Sequence, residues 1–401
     1  MKILFVCENY FPHLGGAEIL FKNLAERFVK KDLQTTVVTH KLKNTLKNEN
    51  ICGVEVHRIS SFFSRYVFSF SSLFKAVQLA RKHDVVQTTT FNGAFPAWLA
   101  AKLMRKPVVL TVHEVWQGKW QEITGFPRWK STIHEFLESL IYKLPFDHYV
   151  CVSEATKNDL LKVLQNKKKT SKALENISVV YNGLDYNFWN RERIDLRKIK
   201  ETRKKYYQDT VNENIHEKIN KNANRNTKIF FSWGRPGASK GFEYLIQAMP
   251  LVVEKYPGAV LLLMFGSKEK YPEKYQELLA IIQKINLPKN IKVIDSLPYE
   301  ELKYLVALAD SVIVPSISEG FGYTALEAMA LEKPVMVSNA GSLPEIVGGK
   351  HLIFQKKNSQ DLAEKMLLAV QGKWNFSEPK KFTWEECVES YVKVYEKLRS
   401  E

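Results

Sequence analysis

The pattern that most constrains this chain is an alternation. Short runs of β-branched and other apolar residues recur between longer stretches whose apolar residues fall at helical spacing. In the first half the runs are 2–7, 35–40, 54–59, 84–89, 107–113, 148–153 and 177–181. In the second half they are 228–234, 259–266, 291–296, 311–316, 334–339 and 351–354. A strand followed by a helix before the next strand pairs in parallel, with helices on both faces of the sheet. The predicted class is therefore α/β. Such sheets bind ligands beyond the carboxyl ends of their strands, so informative residues are expected just after strands.

At 401 residues the chain is too long for one compact α/β unit and sufficient for two. With 45% apolar and 25% charged residues, the composition permits two full cores. Between 191 and 227 apolar residues thin out and Lys, Asn, Glu and Arg dominate. This stretch reads as an inserted connection, partly helical or disordered. The predicted domains are 1–190 and 228–385, joined by 191–227, with a terminal helix at 386–401. In and around that helix Cys387, Val388, Tyr391, Val394, Tyr395 and Leu398 recur at helical spacing.

Cys7, Cys52, Cys151 and Cys387 form no C-x-x-C pair and read as buried free thiols of a reducing compartment. The apolar start is cut short by Glu8 and lacks a small-residue cleavage site, so it reads as a strand and not as a signal peptide. The longest later apolar run, 259–265, is too short to span a bilayer. A soluble or peripheral, cytoplasmic protein is expected. The net charge is +16, and residues 1–183 carry 26 Lys and Arg against 15 Asp and Glu. Such a surface attracts nucleic acid, anionic lipid or phosphorylated substrates. Runs such as Lys167-Lys168-Lys169 read equally well as solvated loops. No nucleic-acid-binding fold signature is present, so no nucleic-acid partner is expected.

Four constellations follow strands. The strongest is Ser318-Glu319-Gly320-Phe321-Gly322-Tyr323-Thr324-Ala325-Leu326-Glu327-Ala328-Met329-Ala330. Its glycines allow a sharp turn and close backbone approach, and a helix starting near Tyr323 offers an N-terminus that favours a phosphate. Glu319 precedes the helix and Glu327 lies about a turn inside it, so the two carboxylates point at different parts of an extended ligand. The second is Gly234-Arg235-Pro236-Gly237-Ala238-Ser239-Lys240-Gly241, where two cations on one loop can clamp a diphosphate. It lacks Walker A spacing. The third is His13-Leu14-Gly15-Gly16-Ala17-Glu18, which is not a G-x-G-x-x-G fingerprint. The fourth is His113-Glu114 at a strand end; a histidine there is more often structural than catalytic.

Taken in order, these residues resemble glycosyltransferase family 4, of the GT-B fold. Glu319 and Glu327 match its E-x7-E motif, with Pro-Ser before and Glu-Ala-Met-Ala after. Arg235 and Lys240 match its diphosphate-binding cations, and Gly15-Gly16-Ala17-Glu18 its N-terminal glycine loop. Asn182-Gly183-Leu184-Asp185 looks like its interdomain turn, and Gly341-Ser342-Leu343-Pro344-Glu345 like its late glycine-to-glutamate turn. His113 falls where the family often has His-Asp; here the neighbour is Glu114. The resemblance covers nearly the whole chain outside 191–228. It implies two Rossmann-like domains with parallel sheets facing across a cleft, and a last helix returning to the N-terminal domain.

It also implies a reaction: transfer of a hexose, mannose being the first choice, from a nucleoside diphosphate sugar to a hydroxyl acceptor with retained anomeric configuration. The implied catalytic set is His113, Glu319, Arg235 and Lys240. The implied donor-binding set is Gly15, Gly16, Arg235, Lys240, Glu319, Gly320, Phe321, Gly322 and Glu327. Glu319 would hold sugar hydroxyls, Glu327 the ribose, and the departing phosphate would help deprotonate the acceptor. No Asp-x-Asp motif stands beside the site, so neither a metal nor another cofactor is expected. Two alternatives remain: a GT-B-like nucleotide-sugar epimerase, or a non-catalytic protein that binds nucleotide sugar or nucleic acid.

The family's common lipid-linked acceptors give weight to residues 61–82. Phe63, Tyr66, Val67, Phe70, Phe74 and Val77 fall at helical spacing, and Phe62, Phe68 and Leu73 widen the face. Arg65, Lys75, Arg81 and Lys82 add positive charge. Such a helix can lie in an anionic membrane surface or pack on a core. The phenylalanine density and the basic first half tilt the expectation toward the membrane.

Overall fold

The structure is a computed structural model that describes residues 1–13, 15–60, 65–166, 174–206 and 227–400. The chain divides into two compact units: unit 1 is 1–121, 126–183 and 382–401, and unit 2 is 122–125 and 184–381.

Unit 1 contains β1 (Lys2–Val6), β2 (Gln34–His40), β3 (Asn48–Ile51), β4 (Val54–Ile59), β5 (Val85–Thr89), β6 (Val108–Val112), β7 (His148–Cys151) and β8 (Ile177–Val179). Their order is β3-β4-β2-β1-β5-β6-β7-β8. Unit 2 contains β9 (Lys228–Gly234), β10 (Ala259–Phe265), β11 (Ile291–Ile294), β12 (Ser311–Val314), β13 (Val335–Ser338), β14 (Gly349–Phe354) and β15 (Asn375–Ser377), in the order β11-β10-β9-β12-β13-β14-β15. All pairings are parallel except the two edges, β3 on β4 and β15 on β14.

The parallel strands form because helices cover both of their faces. All seven residues of β10 are buried, as an unbroken apolar run requires in such a sheet. Each unit has its own core, one built around Leu4, Val86 and Leu110 and the other around Leu261, Leu263 and Ile313. The two antiparallel strands are absent from the sequence-based expectation. β3 is the polar run Asn48-Glu49-Asn50-Ile51, joined to β4 by Cys52 and Gly53, both at positive φ as in a two-residue hairpin. Cys52 is exposed there, unlike the other three cysteines, which corrects the reading of all four as buried. The three residues of β15 are all exposed.

The units divide at 183/184 and 381/382, whereas the sequence suggests 190/191 and 385/386. Residues 184–190 go with unit 2 because Phe188 stacks on Tyr299 and Trp189 donates to the same residue. Phe382 goes with unit 1 because its ring packs against Tyr181. Within the connecting stretch a helix spans Leu196–Tyr206, and 207–226 lie outside the described residues.

The last helix, Trp384–Ser400, is part of unit 1. Tyr395 packs edge-on against Phe28, and Tyr391 meets Thr111 of β6 through its hydroxyl at 3.3 Å. Its start presses on Gly183, where an added Cβ would lie 2.4 Å from the Trp384 backbone nitrogen. Backbone cannot yield as a side chain does. Gly183→Ala is therefore expected to destabilise the protein by about 1–3 kcal/mol, read as a lower thermal midpoint. An unchanged midpoint would show that this packing is loose.

Candidate functional site

Both sheets reverse their strand order next to their first strand, and ligand crevices form at such switch points. In unit 2 the reversal lies between β9 and β12. The loop after β9 carries Arg235 and Lys240, and the loop after β12 carries Glu319. Topology alone thus brings together residues about eighty positions apart in the chain.

Backbone contacts lock the two loops to each other. Ile317 N donates to Ser239 O at 2.7 Å. Gly241 has φ +63°, and a Cβ there would lie 2.2 Å from Pro315 O. A third loop fixes Glu319: Ser342 donates to Glu319 O through its backbone N at 3.1 Å and its hydroxyl at 3.3 Å. Gly341, at φ +51°, passes so close that a Cβ would lie 2.0 Å from the same oxygen. Only glycine meets both demands at these two positions.

On this scaffold Lys240 Nζ lies 2.7 Å from Glu319 Oε2, and Ser316 Oγ donates to that oxygen at 3.1 Å. The pair is partly buried, with side-chain exposures of 23% and 16%. Arg235 is exposed, and its side chain has no ion-pair or hydrogen-bond partner among the described residues. Gly320 and Gly322 are buried just ahead of the helix Tyr323–Ala330. Phe321 is only 4% exposed, so what it can offer a ligand is backbone.

Glu327 departs from a surface carboxylate. It is 6% exposed, and its one hydrogen-bond partner among the described residues is Tyr299, whose hydroxyl lies 3.2 Å from Oε1. Burial pushes its pKa up to about 8, against the smaller opposing effect of the Tyr299 hydrogen bond. A carboxyl that titrates near 8 when folded and near 4.5 when unfolded binds more protons in the folded state, so the wild type loses stability as pH rises between those values. Glu327→Gln removes the titration. Its melting temperature relative to wild type is expected to rise between about pH 5 and about pH 8.5. A difference that stays flat across that range would contradict the assignment.

The unit 1 residues form a second cluster. His113 lies one residue beyond β6, with its carbonyl accepting from Thr156 Oγ1 at 3.2 Å and its ring 6.3 Å from that of Phe21. Its buried Nε2 has no hydrogen-bond partner among the described residues. Burial lowers its pKa to about 4, against the pull of Glu18, so it is neutral at neutral pH. Gly15 precedes the helix Gly16–Lys30 in extended conformation. The Glu18 side chain folds over it: an added Cβ on Gly15 would lie 2.4 Å from Glu18 Oε2, whereas Gly16 has open space. Burial raises the Glu18 pKa, but the hydrogen bond from His13 and the nearby imidazoles prevail and hold it below the usual value.

The structure therefore gathers the sequence-derived residues into two sets. Arg235, Lys240, Glu319, Gly320, Phe321, Gly322 and Glu327 belong to unit 2; Gly15, Gly16 and His113 belong to unit 1. The contributions of Ser316, Ser342 and Tyr299 were not foreseen. The late glycine turn is the available clue for Ser342 and the Pro-Ser flank of the E-x7-E motif that for Ser316; nothing in spacing marks Tyr299. Among the described residues, no group of three or more His, Cys, Asp or Glu side chains is placed to hold a metal ion.

Comparison with known proteins extends these observations. Residues 14–188 match the family model described as Glycosyltransferase Family 4, and residues 212–383 match that described as Glycosyl transferases group 1. A glycosyltransferase of Methanocaldococcus jannaschii, MJ1607, is 25% identical, with 98% of each chain covered. The GPI3 subunit of phosphatidylinositol N-acetylglucosaminyltransferase from Saccharomyces cerevisiae is 20% identical over 100% of this chain and 83% of its own. Among solved structures, HepE of Anabaena in complex with UDP and glucose superposes with a TM-score of 0.69 at 18% identity, covering 100% of this chain and 97% of that one.

Proposed function

The chain belongs to the family 4 type of glycosyltransferases and has the two-domain, Rossmann-like GT-B fold; on that premise we propose that it moves a hexose from a nucleoside diphosphate sugar to a hydroxyl acceptor with retained anomeric configuration. The observation that supports this reading best is the Lys240–Glu319 pair at the switch point of unit 2, with Arg235 unpartnered on the same loop.

The chemistry is a problem of charge. As the sugar–phosphate bond breaks, the sugar becomes oxocarbenium-like and the departing diphosphate gains negative charge. Arg235 offers a planar fork to that diphosphate and Lys240 a point charge, while the start of the helix Tyr323–Ala330 directs backbone N–H groups at it. Glu319, already bonded to Lys240 and Ser316, turns toward the sugar hydroxyls. Glu327 takes the ribose. For neutral His113 and the Gly15-Gly16 loop we propose contact with the donor's sugar and phosphates. The departing phosphate accepts the acceptor's proton on the same face.

In this reading the two cations do the work of a divalent metal, and no cofactor is needed. Activity is expected to survive EDTA; complete loss, restored by Mn²⁺ or Mg²⁺, would contradict it. Retention is tested by NMR of the product: an anomeric coupling matching that of the donor sugar supports it, and an inverted one refutes it.

The proposed acceptor is lipid-linked, used on the cytoplasmic face of a membrane in glycan or glycolipid synthesis. The supports are the basic, apolar-studded unit 1 and the likeness to the GPI3 subunit of phosphatidylinositol N-acetylglucosaminyltransferase. The contact proposed is peripheral; no helix among the described residues is long and apolar enough to cross a membrane.

A further inference from the structure

The helix Arg128–Ile141 is turned inside out. Its buried side chains are Ser131, His134 and Glu138. Facing outward are Trp129, 67% exposed, and Phe136, 60% exposed, together with Ile133, Leu137 and Leu140. These lie at the spacing of a core-facing stripe. The inward polar face is pinned. Glu138 accepts from Trp116 N at 3.0 Å, Trp120 Nε1 at 2.7 Å and Tyr142 Oη at 3.3 Å. His134 shares hydrogen bonds with Lys130 O and with Tyr66 Oη. Rolling the helix over would break this network and strand a buried carboxyl. The apolar stripe is therefore held out by design of the polar side, and nothing among the described residues covers it.

The bond from His134 to Tyr66 joins this helix to the segment expected to be membrane-active. That segment splits into two faces. Phe68, Ala76, Leu79 and Ala80 are buried, which corrects the placing of Phe68 on the outer face. Tyr66, Val67, Phe70 and Phe74 are exposed, Phe74 at 82%. Phe62 and Phe63 lie outside the described residues.

We propose that the helix Arg128–Ile141, together with the exposed Phe70 and Phe74, lies in the headgroup region of an anionic membrane. This rests on the lipid-linked acceptor proposed above. The choice of occupant follows from charge. Arg128 and Lys143 flank the apolar stripe in sequence, Lys130 and Glu135 fall within it, and the first 183 residues carry an excess of basic side chains. An anionic lipid surface meets both the stripe and the rim, whereas a second copy would set two basic units against each other.

The test is co-sedimentation with phosphatidylcholine vesicles, with and without phosphatidylglycerol. Wild type is expected to pellet with the anionic vesicles and to release with salt. Trp129→Ser/Phe136→Ser, which alters exposed side chains only, is expected to lower partitioning at least about tenfold while keeping the wild-type melting temperature. Binding of this variant equal to wild type would overturn the inference and leave the membrane reading standing. No binding by wild type would sink both. A concentration-dependent dimer abolished by the same variant would reassign the face to a second copy and overturn the proposal.

A separate observation concerns Tyr299. Trp189 Nε1 donates to its hydroxyl at 2.9 Å, and an indole N–H can only donate. The Tyr299 proton is therefore turned toward Glu327 Oε1. The ring is held by stacking on Phe188, centroids 5.1 Å apart and planes within 9°. We infer that Tyr299 is a positioning residue that fixes Oε1 as an acceptor and presents Oε2 to the ribose of the nucleotide. This rests on the assignment of the ribose to Glu327.

The readout is the ratio of dissociation constants for 2′-deoxy or 3′-deoxy nucleotide over ribonucleotide, measured with UDP and GDP. Tyr299→Phe keeps the stack and loses the hydroxyl, and is expected to reduce that ratio about fivefold. Equal weakening of both nucleotides would reduce Tyr299 to a structural role and overturn the inference. Glu327→Ala is expected to bring the ratio close to one. Failure there would instead refute the ribose assignment.

Discussion

Lys240→Ala is expected to lower kcat about a hundredfold to a thousandfold while weakening donor binding much less, the size of effect seen when one preorganised group is removed from developing negative charge. The reason is the timing of charge. A bound nucleotide sugar already carries a diphosphate, but the charge on the leaving oxygen grows only as the glycosidic bond breaks. Lys240 is partly buried, at 23% side-chain exposure, so its attraction is less screened by water than that of a surface lysine. It is also held in place by Glu319 before any ligand arrives. Arg235 is exposed and unpartnered, so Arg235→Ala leaves no stranded carboxylate and is expected to cost less. Steady-state kinetics with a titration of nucleotide binding separates the two effects. Normal turnover in Lys240→Ala would remove the diphosphate clamp from the mechanism.

Glu319→Ala is expected to separate the sugar nucleotide from the bare nucleotide. Turnover of the nucleotide sugar, as kcat/KM, falls about a hundredfold because the sugar hydroxyls lose their carboxylate partner. Binding of the bare nucleoside diphosphate holds or tightens, since Lys240 no longer shares its charge with Oε2. A structural collapse would weaken both ligands together. Glu319 is a sharp probe in this respect because its backbone is fixed independently of its side chain, through Ser342 and the close passage of Gly341. Equal loss of sugar nucleotide and bare nucleotide would contradict the assignment of Glu319 to the sugar.

The parallel sheets were legible because their central strands are short runs rich in β-branched and other apolar residues, in the clearest case, Ala259–Phe265, apolar and buried throughout, a pattern that survives without knowledge of its neighbours. The edge strands were not. Asn48–Ile51 and Asn375–Ser377 are polar and short, and they exist only because β4 and β14 offer them backbone partners. The motif glycines and charged residues of unit 2 were legible for a related reason: they follow β9 and β12, whose adjacency in the sheet brings Lys240 to Glu319. What spacing conceals is direction. The stripe from Trp129 to Leu140 has the period of a core face, yet the hydrogen bonds of Glu138 turn it outward. Phe68 and Phe70 sit two residues apart in one aromatic run, and only packing decides that the first is buried and the second exposed. Glu327 shows the same concealment: its place in the motif is clear from sequence, but its burial, which raises its pKa, and its hydrogen bond from Tyr299, 28 positions earlier, are set by packing.

The most direct test of the central proposal, sugar transfer from a nucleotide donor, is nucleotide release from a panel of GDP- and UDP-linked hexoses, with GDP-mannose first. Each donor is incubated with and without a polyprenyl-phosphate-linked acceptor, in EDTA. Release is expected from one donor, dependent on the acceptor, matched by a glycosylated product, and lost in Lys240→Ala. Release or epimerisation of the nucleotide sugar that proceeds equally well without acceptor would contradict the proposal.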